Sequence, residues 1–373
     1  MKIERLEAFP VEYPTRGRFK FLEGPKGEPL GRRTVLVKMT ADDGSVGWGE
    51  SVPSNKWSYE TVESVTTTLR NYLAPVLNGL DPFDLPNIHK TMNAIIGPGF
   101  STGMPICKAG VDMAIHDLCC RKLNCSLARY WGRPEGGSVT LSWTLNPISL
   151  DRLDESIQEG LHGGYRNFNV KIAPDINYDL ELCRRVKERV PTGFLWADAN
   201  GGYDLPSALA VAPQLADLGV DVLECPLPPN HIAGYRRLHN QRALPITMDE
   251  GVLSPHDLLE FIHLDMLDGL TIKPARCGGL LAARRQIEIL LDTGMIFLGS
   301  GLTEPDVGLS ASLALYGAYG LAYPAALNGP QYLTDSVIET PFCPVDGKLP
   351  VPAGPGLGVT VIEEKIQALS AVF

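Results

Sequence analysis

The sequence predicts an α/β protein in which a closed (β/α) barrel carries a separate α+β capping domain. Three observations predict it. From about Ser138, short apolar strands alternate with helix-length segments, the pattern of βαβ units and a parallel sheet. The region before it reads instead as strands followed by helices. Five charged residues recur at strand ends once per βα unit.

The N-terminal part comes first. Ile3 to Val11 and Thr34 to Thr40 read as strands, separated by the polar loop Thr15 to Arg33. The turn Asp42-Asp43-Gly44 leads into Val46 to Glu50, a meander or hairpin. Helical periodicity follows over Tyr59 to Leu77 and Lys108 to Lys122. The barrel strands are expected at Val139–Leu145, Asn167–Ile172, Gly193–Ala197, Val220–Leu223, Ile246–Met248, Leu270–Ile272, Met295–Leu298 and a weaker Ala325–Leu327. A doubly wound open sheet is the alternative, but no Gly-x-Gly-x-x-Gly turn follows any strand and no phosphate loop is present. The end of the chain is rich in Pro and Gly, with one further strand expected at Gly358–Ile362.

Composition narrows the function classes. A chain of 373 residues, 44% of them hydrophobic, can bury a substantial core. The formal charge of −10 and a pI near 5.3 argue against a polyanion-binding surface. Nucleic acid is therefore not an expected partner. The stretch Val307 to Thr334 has no charged residue but is broken by Pro324, so it reads as a buried helix and strand rather than a membrane span. The start of the sequence lacks the apolar run of a signal peptide, and a cytoplasmic location is expected. Eight scattered cysteines, with Cys119, Cys120 and Cys125 the tightest group, read as free thiols; no His stands at zinc-finger spacing.

The chemistry lies in the rhythm of charged residues. Lys171, Asp198, Glu224, Asp249 and Lys273 end successive apolar strands at intervals of 27, 26, 25 and 24 residues. That spacing sets one functional group per strand at the C-terminal mouth of a barrel, where barrel enzymes do their chemistry. Three carboxylates converging there repel one another, so either their pKa values rise or a cation neutralises them. Oxygen ligands select a hard ion, Mg²⁺ or alternatively Mn²⁺. Each acid taken singly could instead cap a helix or pair with an arginine. Three on consecutive strands flanked by two lysines favour the metal. The lysines, on strands two and six, would face a ligand from opposite sides. A free lysine, at about 10.4, is too basic to act as a base at neutral pH, whereas burial near a divalent cation brings it toward about 7–8. The combination suits removal of the α-proton of a metal-bound carboxylate, the enediolate so formed being stabilised by the metal.

These stretches give the chain a resemblance to the enolase superfamily, and within it to the muconate-lactonizing group of the mandelate racemase/muconate lactonizing enzyme family. The matching segments are Phe168-Asn169-Val170-Lys171, Trp196-Ala197-Asp198-Ala199-Asn200, Leu223-Glu224-Cys225-Pro226-Leu227, Met248-Asp249-Glu250 and Ile272-Lys273-Pro274-Ala275-Arg276-Cys277-Gly278-Gly279. Ala114-Ile115-His116-Asp117-Leu118 and Pro355-Gly356-Leu357-Gly358-Val359 match as well. The resemblance implies a modified (β/α)7β, TIM-like barrel at residues 128–330. The capping domain would comprise residues 1–127, with residues 331–373 packing back on it. It implies metal ligands at Asp198, Glu224 and Asp249, and paired acid/base lysines at Lys171 and Lys273. Asn169, Asn200 and Glu250 fall in supporting positions around them. Glu304 is either a site-shaping acid or simply the start of the next helix. Capping loops that close over the mouth would set specificity. Their candidate contacts are Arg18, Phe19 and Phe21 in one loop and Trp57 and Tyr59 in another, although these aromatics could equally pack within the cap.

Two departures qualify the resemblance. Asn169 stands where the family usually has a lysine, which removes a positive neighbour of Lys171. Ala326-Leu327-Asn328-Gly329 lacks the paired aspartates of dipeptide epimerases, which disfavours a dipeptide substrate. The expected activity is a racemase, epimerase or cycloisomerase, an isomerase acting on a small carboxylate, in a homo-oligomer. Dehydration of a hydroxy acid or hydroxyproline-type substrate, by a lyase, uses the same half-reaction. A barrel that only binds a ligand is a third reading, opposed by the intact set of three acids and two lysines.

Overall fold

A computed structural model describes residues 1–24, 26–147 and 149–370. Strands β1 (Ile3–Tyr13), β2 (Arg32–Ala41) and β3 (Val46–Ser51) form an antiparallel sheet in that order. The β2–β3 hairpin turns at Gly44, whose φ of +81° is one that glycine adopts without strain. Val35, Val37 and Met39 pack with Val111, Ile115 and Leu118 of the long helix α1 (Pro105–Lys122). The approach is close because β3 carries glycine there: a Cβ on Gly49 would collide with the Gly110 carbonyl. Pro105 at the first turn starts α1 one turn earlier than the periodicity suggests. The helix expected from Tyr59 begins at Val62 behind a Thr61–Ser64 capping box and reaches Leu77 through a wider turn at Leu69–Leu73. A further helix, Leu85–Ile95, lies outside the expected elements; Asp84 caps it and Pro86 stands in its first turn.

Beyond the cap, seven parallel strands lie in sequential order: β4 (Trp143–Leu145), β5 (Phe168–Lys171), β6 (Leu195–Asp198), β7 (Val222–Glu224), β8 (Ile246–Met248), β9 (Gly269–Ile272) and β10 (Ile296–Gly299). Between them run helices such as α2 (Ile176–Arg189) and α3 (Leu280–Asp292), and α4 (Asp306–Ala318) follows β10. The expected eighth strand is reduced to two parallel bridges, Ala325 to Leu141 and Ala326 to Ser300. Pro324 and Pro330 bracket this segment and limit the ladder it can form. The bridges nevertheless close the ring, which excludes the open doubly wound sheet. Because βα repeats wind one way, every C-terminal strand end faces the same mouth.

Two strand assignments change. Val139–Leu145 is broken at Leu141 and Ser142, whose amides donate to the carbonyls of Gly347 and Ala325. Its first part, Ser138–Thr140, pairs antiparallel with Lys348–Pro350 of the tail, and only its second part joins the barrel. Gly358–Ile362 is not a strand; Gly358 takes a φ of +70°, and a single bridge joins Val361 to Ile338. The uncharged stretch from Val307 opens as the buried helix α4, and no helix among the described residues is long and apolar enough to cross a membrane. All eight cysteines are free.

Buried carboxylates fasten these parts together. Asp112 of α1 accepts from the Leu280 and Leu281 amides at 2.5 and 3.3 Å, capping α3. Asp117, one turn on, accepts from Trp48 N (2.8 Å), Leu357 N (2.7 Å) and Arg121 Nε (2.8 Å). It thereby joins β3, the tail and α1. Glu50 of β3 accepts from the Thr34 hydroxyl at 2.7 Å and from the Gly308 amide of α4 at 2.9 Å. Burial pushes the Glu50 carboxyl up to about 7 despite those two donors.

A carboxyl whose folded pKa is raised contributes most while both states are protonated, below the unfolded value of about 4.3. That contribution is lost as pH rises through about 7. Stability should therefore fall from about pH 4 to about pH 7, and Glu50→Gln should flatten the fall by about one proton. Urea midpoints across that range test this; an unchanged slope in the variant contradicts it.

Candidate active site

Strand register brings the charged residues together. Lys171 lies beside Asp198 across β5 and β6, and Asp198 beside Glu224 across β6 and β7. Asp249 follows the last residue of β8, and Lys273 follows β9. Asp198, Glu224, Asp249 and Lys273 are all at most 3% exposed. Charge at that depth demands partners, and most are other members of the set. Lys171 Nζ donates to Asp198 Oδ2, and Lys273 Nζ donates to Asp249 Oδ2 at 2.5 Å. Arg276, on the loop after β9, sets its guanidinium against the other Asp249 oxygen. The Trp196 indole Nε1 donates to Glu224 Oε2 at 2.6 Å from inside the barrel.

Asn200 organises the next layer. Its backbone N–H reaches Asp198 Oδ1 at 2.9 Å, while its side-chain amide donates to Asp198 Oδ2 (3.1 Å) and Glu250 Oε1 (3.2 Å). The residue takes a φ of +45°, a region asparagine enters more readily than most. Asn169 shares the inward face of β5 with Lys171 and sits 3.5 Å from the Trp196 carbonyl. It fills its place without supplying charge.

The acids differ in their electrostatics. Burial opposes ionisation of Asp198, yet Lys171, Lys273 and Lys20 together hold its carboxyl below the ordinary value. Burial, and then the negative charge of Asp198, push Glu224 up to about 8. Glu304 lies past β10 and before α4, which starts at Asp306 behind Pro305, so it does not open the helix. Burial raises its carboxyl too, while Lys273 and Arg32 oppose the rise.

Among the described residues, no three His, Cys, Asp or Glu side chains are drawn in closely enough to hold a metal ion as they stand. Lysine contacts take up one oxygen of each aspartate. The donor set still fits a hard cation. Three carboxylates end adjacent strands, and the buried Glu224 Oε1 has no hydrogen-bond partner. Such an oxygen is costly unless a cation or donor reaches it.

The cap roofs this cluster. Phe21 and Trp57, from the two loops, stack with ring centroids 3.6 Å apart, and Phe19 stacks on Tyr332 at 4.8 Å. Lys273 Nζ lies 5.4 Å from the Trp57 ring. A cleft between cap and barrel is bordered by Phe21, Lys56, Trp57, Asn200, Glu250 and Arg276. Phe19 is buried within the aromatic cluster, and Arg18 pairs with Glu23. Tyr59 is 66% exposed, and its hydroxyl accepts from Met104 N at 2.7 Å. Of the loop candidates, Phe21 and Trp57 therefore stand nearest the strand-end groups.

Three residues of the site were not singled out from sequence. Arg276 was visible within the Lys273–Gly279 segment but carried no assigned role. Trp196 read as core; its indole bond to Glu224 depends on the inward face of β6. Lys20 lies between Phe19 and Phe21 in a polar loop, where no periodicity marks it.

The model of the enolase C-terminal domain-like family matches residues 152–365, and that of the mandelate racemase/muconate lactonizing enzyme N-terminal domain matches residues 30–132. The chloromuconate cycloisomerase CbnB of Cupriavidus necator is 30% identical over 375 residues, 98% of each chain. The N-succinyl-L-Arg/Lys racemase of Bacillus cereus is 26% identical over 376 residues, 99% of this chain and 98% of its own. Among solved structures, 2-chloromuconate cycloisomerase from Rhodococcus opacus 1CP superposes with a TM-score of 0.90 at 28% identity, covering 99% of both chains.

The indole bond gives a direct test. Trp196→Phe removes the indole hydrogen bond to the Glu224 carboxyl and should destabilise the metal-free protein by about 2 kcal/mol, the scale of a bond to a charged or partly charged group. Chemical denaturation measures it. A loss no larger than the substitution's change in packing would show that the bond contributes nothing.

Proposed function

The chain belongs to the mandelate racemase/muconate lactonizing enzyme family of the enolase superfamily, and from that membership we propose an isomerase, cycloisomerase or racemase, that removes the α-proton of a small carboxylate substrate. The observation that carries this reading is the placement of two amines, Lys171 on β5 and Lys273 after β9, on either side of three strand-end acids. With β6, β7 and β8 between them, the two lysines stand across the barrel. One can take a proton from one face of a substrate while the other delivers a proton to the opposite face. General acid–base catalysis of this kind contributes about 10²–10⁴-fold each.

The family is metal-dependent. We assign to Asp198, Glu224 and Asp249 the holding of a divalent cation, Mg²⁺, for which Mn²⁺ could substitute at the same oxygen donors. When bound, such an ion supplies Lewis-acid stabilisation of the negative charge that a carboxylate gains on losing its α-proton. Asn200 and Glu250 then position Asp198, and Arg276 positions Asp249. Phe21 and Trp57 exclude water from above. Glu304, buried and close enough to Lys273 to feel its charge, shapes the wall beside it. Because Asn169 is neutral, Lys171 depends on its ion pair with Asp198 for orientation.

The likeness to a chloromuconate cycloisomerase and an N-succinyl amino acid racemase over nearly whole chains supports an isomerase outcome. The same reading places the protein in the cytoplasm as a homo-oligomer. It divides the chain into a barrel at 128–330 and a cap at 1–127, completed by 331–373. Tail contacts such as Lys38 to Glu363 at 2.6 Å and Glu12 N to the Leu369 carbonyl at 3.0 Å support that division.

Candidate acids incubated in heavy water separate the outcomes. Exchange with inversion marks a racemase, ring closure a cycloisomerase, and loss of water a dehydratase. Lys171→Ala and Lys273→Ala should each lower kcat by at least about 10²-fold; full turnover in both variants with a good substrate contradicts the mechanism. Exhaustive chelation should abolish activity, and Mg²⁺ should restore it while raising the melting temperature of the chelated protein. Glu224→Gln should blunt that thermal shift. Full activity after chelation contradicts the metal assignment.

A further inference from the structure

The first turn of α2 reaches the loops that follow three barrel strands. Asp175 caps this helix, accepting from the Asn177 and Tyr178 amides at 3.1 and 3.2 Å. The Tyr178 hydroxyl donates to the Pro147 carbonyl, in the loop after β4, at 2.9 Å. Asp179 takes the other two loops with a single oxygen. Its Oδ2 accepts from the Ala173 amide after β5 at 3.0 Å and from the Tyr203 hydroxyl after β6 at 2.5 Å. Asp179 and Tyr203 are both buried.

These two loops carry groups of the mouth. Ala173 lies just past Lys171, and Tyr203 closes the segment that begins with Asp198 and contains Asn200. The loops also touch, because a Cβ on Gly202 would stand 2.8 Å from that of Ala173. Both are bent: Ala173 takes a φ of +71° and Asn200 one of +45°. An alanine enters that left-handed region only at a cost, and such backbone persists where its surroundings over-determine it. Asp179 binds the amide of the strained alanine itself. Burial pushes the Asp179 carboxyl up, while the Tyr203 and Ala173 donors oppose the rise. Both donors are neutral and come from different loops, so this acceptor is satisfied only when the loops stand side by side.

We propose that Asp179 is a positioning residue that holds the loops after β5 and β6 together and through them sets Lys171 against Asp198. Lys171 and Asp198 are the last residues of their strands, so the loops that follow decide how the two side chains meet. This rests on the reading of Lys171 as an acid/base group and of Asp198 as a metal ligand, and deepens it. Lys273 follows β9, across the barrel from this tie. Loss of the Asp179 carboxylate should therefore disturb one lysine and one acid rather than the whole mouth.

Two readouts that need no substrate test it. One is Mg²⁺ affinity by calorimetry. The other is the rate at which formaldehyde and cyanoborohydride methylate Lys171 and Lys273 in the metal-free protein, read by mass spectrometry of their peptides. Asp179→Ala should weaken Mg²⁺ binding about fivefold and speed labelling of Lys171 about threefold, with Lys273 within about twofold, the scale of one or two neutral hydrogen bonds. Asp179→Asn should stay within about twofold of wild type in both, because one amide oxygen can accept from both donors. Tyr203→Phe removes one donor; it should move both readouts the same way by less, and it carries the test if Asp179→Ala fails to fold. Wild type brought by urea to the stability of the variant is the control for general loosening, in which the two lysines should speed up together. Unchanged Mg²⁺ affinity in Asp179→Ala, equal acceleration of both lysines, an Asn variant as impaired as the Ala variant, or a urea control that reproduces the selective change overturns the assignment. If wild type binds no Mg²⁺, the reading of the strand ends as a metal site fails instead, and the labelling ratio alone decides the role of Asp179.

Discussion

Charge buried at the mouth of the barrel is the constraint on which the rest depends. Asp198, Glu224 and Asp249 end neighbouring strands in nearly complete burial, where an unpaired carboxylate would cost several kcal/mol. The chain answers with amines from flanking strands, the indole of Trp196 and the guanidinium of Arg276. These pairings are also what a cation would compete for. A site built this way is held in shape by its own side chains. The raised carboxyl of Glu224, one of whose oxygens lacks a partner, marks where that compensation is incomplete.

Much of this was legible because barrel geometry converts sequence spacing into position. Intervals of 24 to 27 residues between strand-end charges became adjacency at one rim, with Lys171, Asp198 and Glu224 in neighbouring register. The ring closure was harder to read. Ala325–Leu327 carries only a weak strand signal and forms two bridges in place of a ladder, and the first strand is cut by amides that turn to Gly347 and Ala325. Both depend on residues far away in sequence, which a local pattern does not contain. The same limit applied to the cap. Helix Leu85–Ile95 buries only Ile88 and Met92, so its apolar stripe is thin, and the loop of Lys20 is held by a bond from Lys56 of the other loop.

Helix α1 joins the cap to the barrel. Its glycine contact with β3 seats it on the cap sheet, while Asp117 receives amides from β3 and from the tail. Glu50 repeats the theme from the sheet side by accepting from Gly308. Each of these carboxylates trades solvation for two or more donors belonging to different parts of the chain, so none is satisfied unless the parts are assembled.

The Asp112 cap on α3 has a consequence for how such a chain can change. That helix follows directly on the segment bearing Lys273 and Arg276, and its first amides are supplied with an acceptor by α1. A barrel cut free of its cap would leave those amides bare at the end of the loop that carries Lys273 and Arg276. Of the cap's elements, α1 is therefore one that has to travel with the barrel.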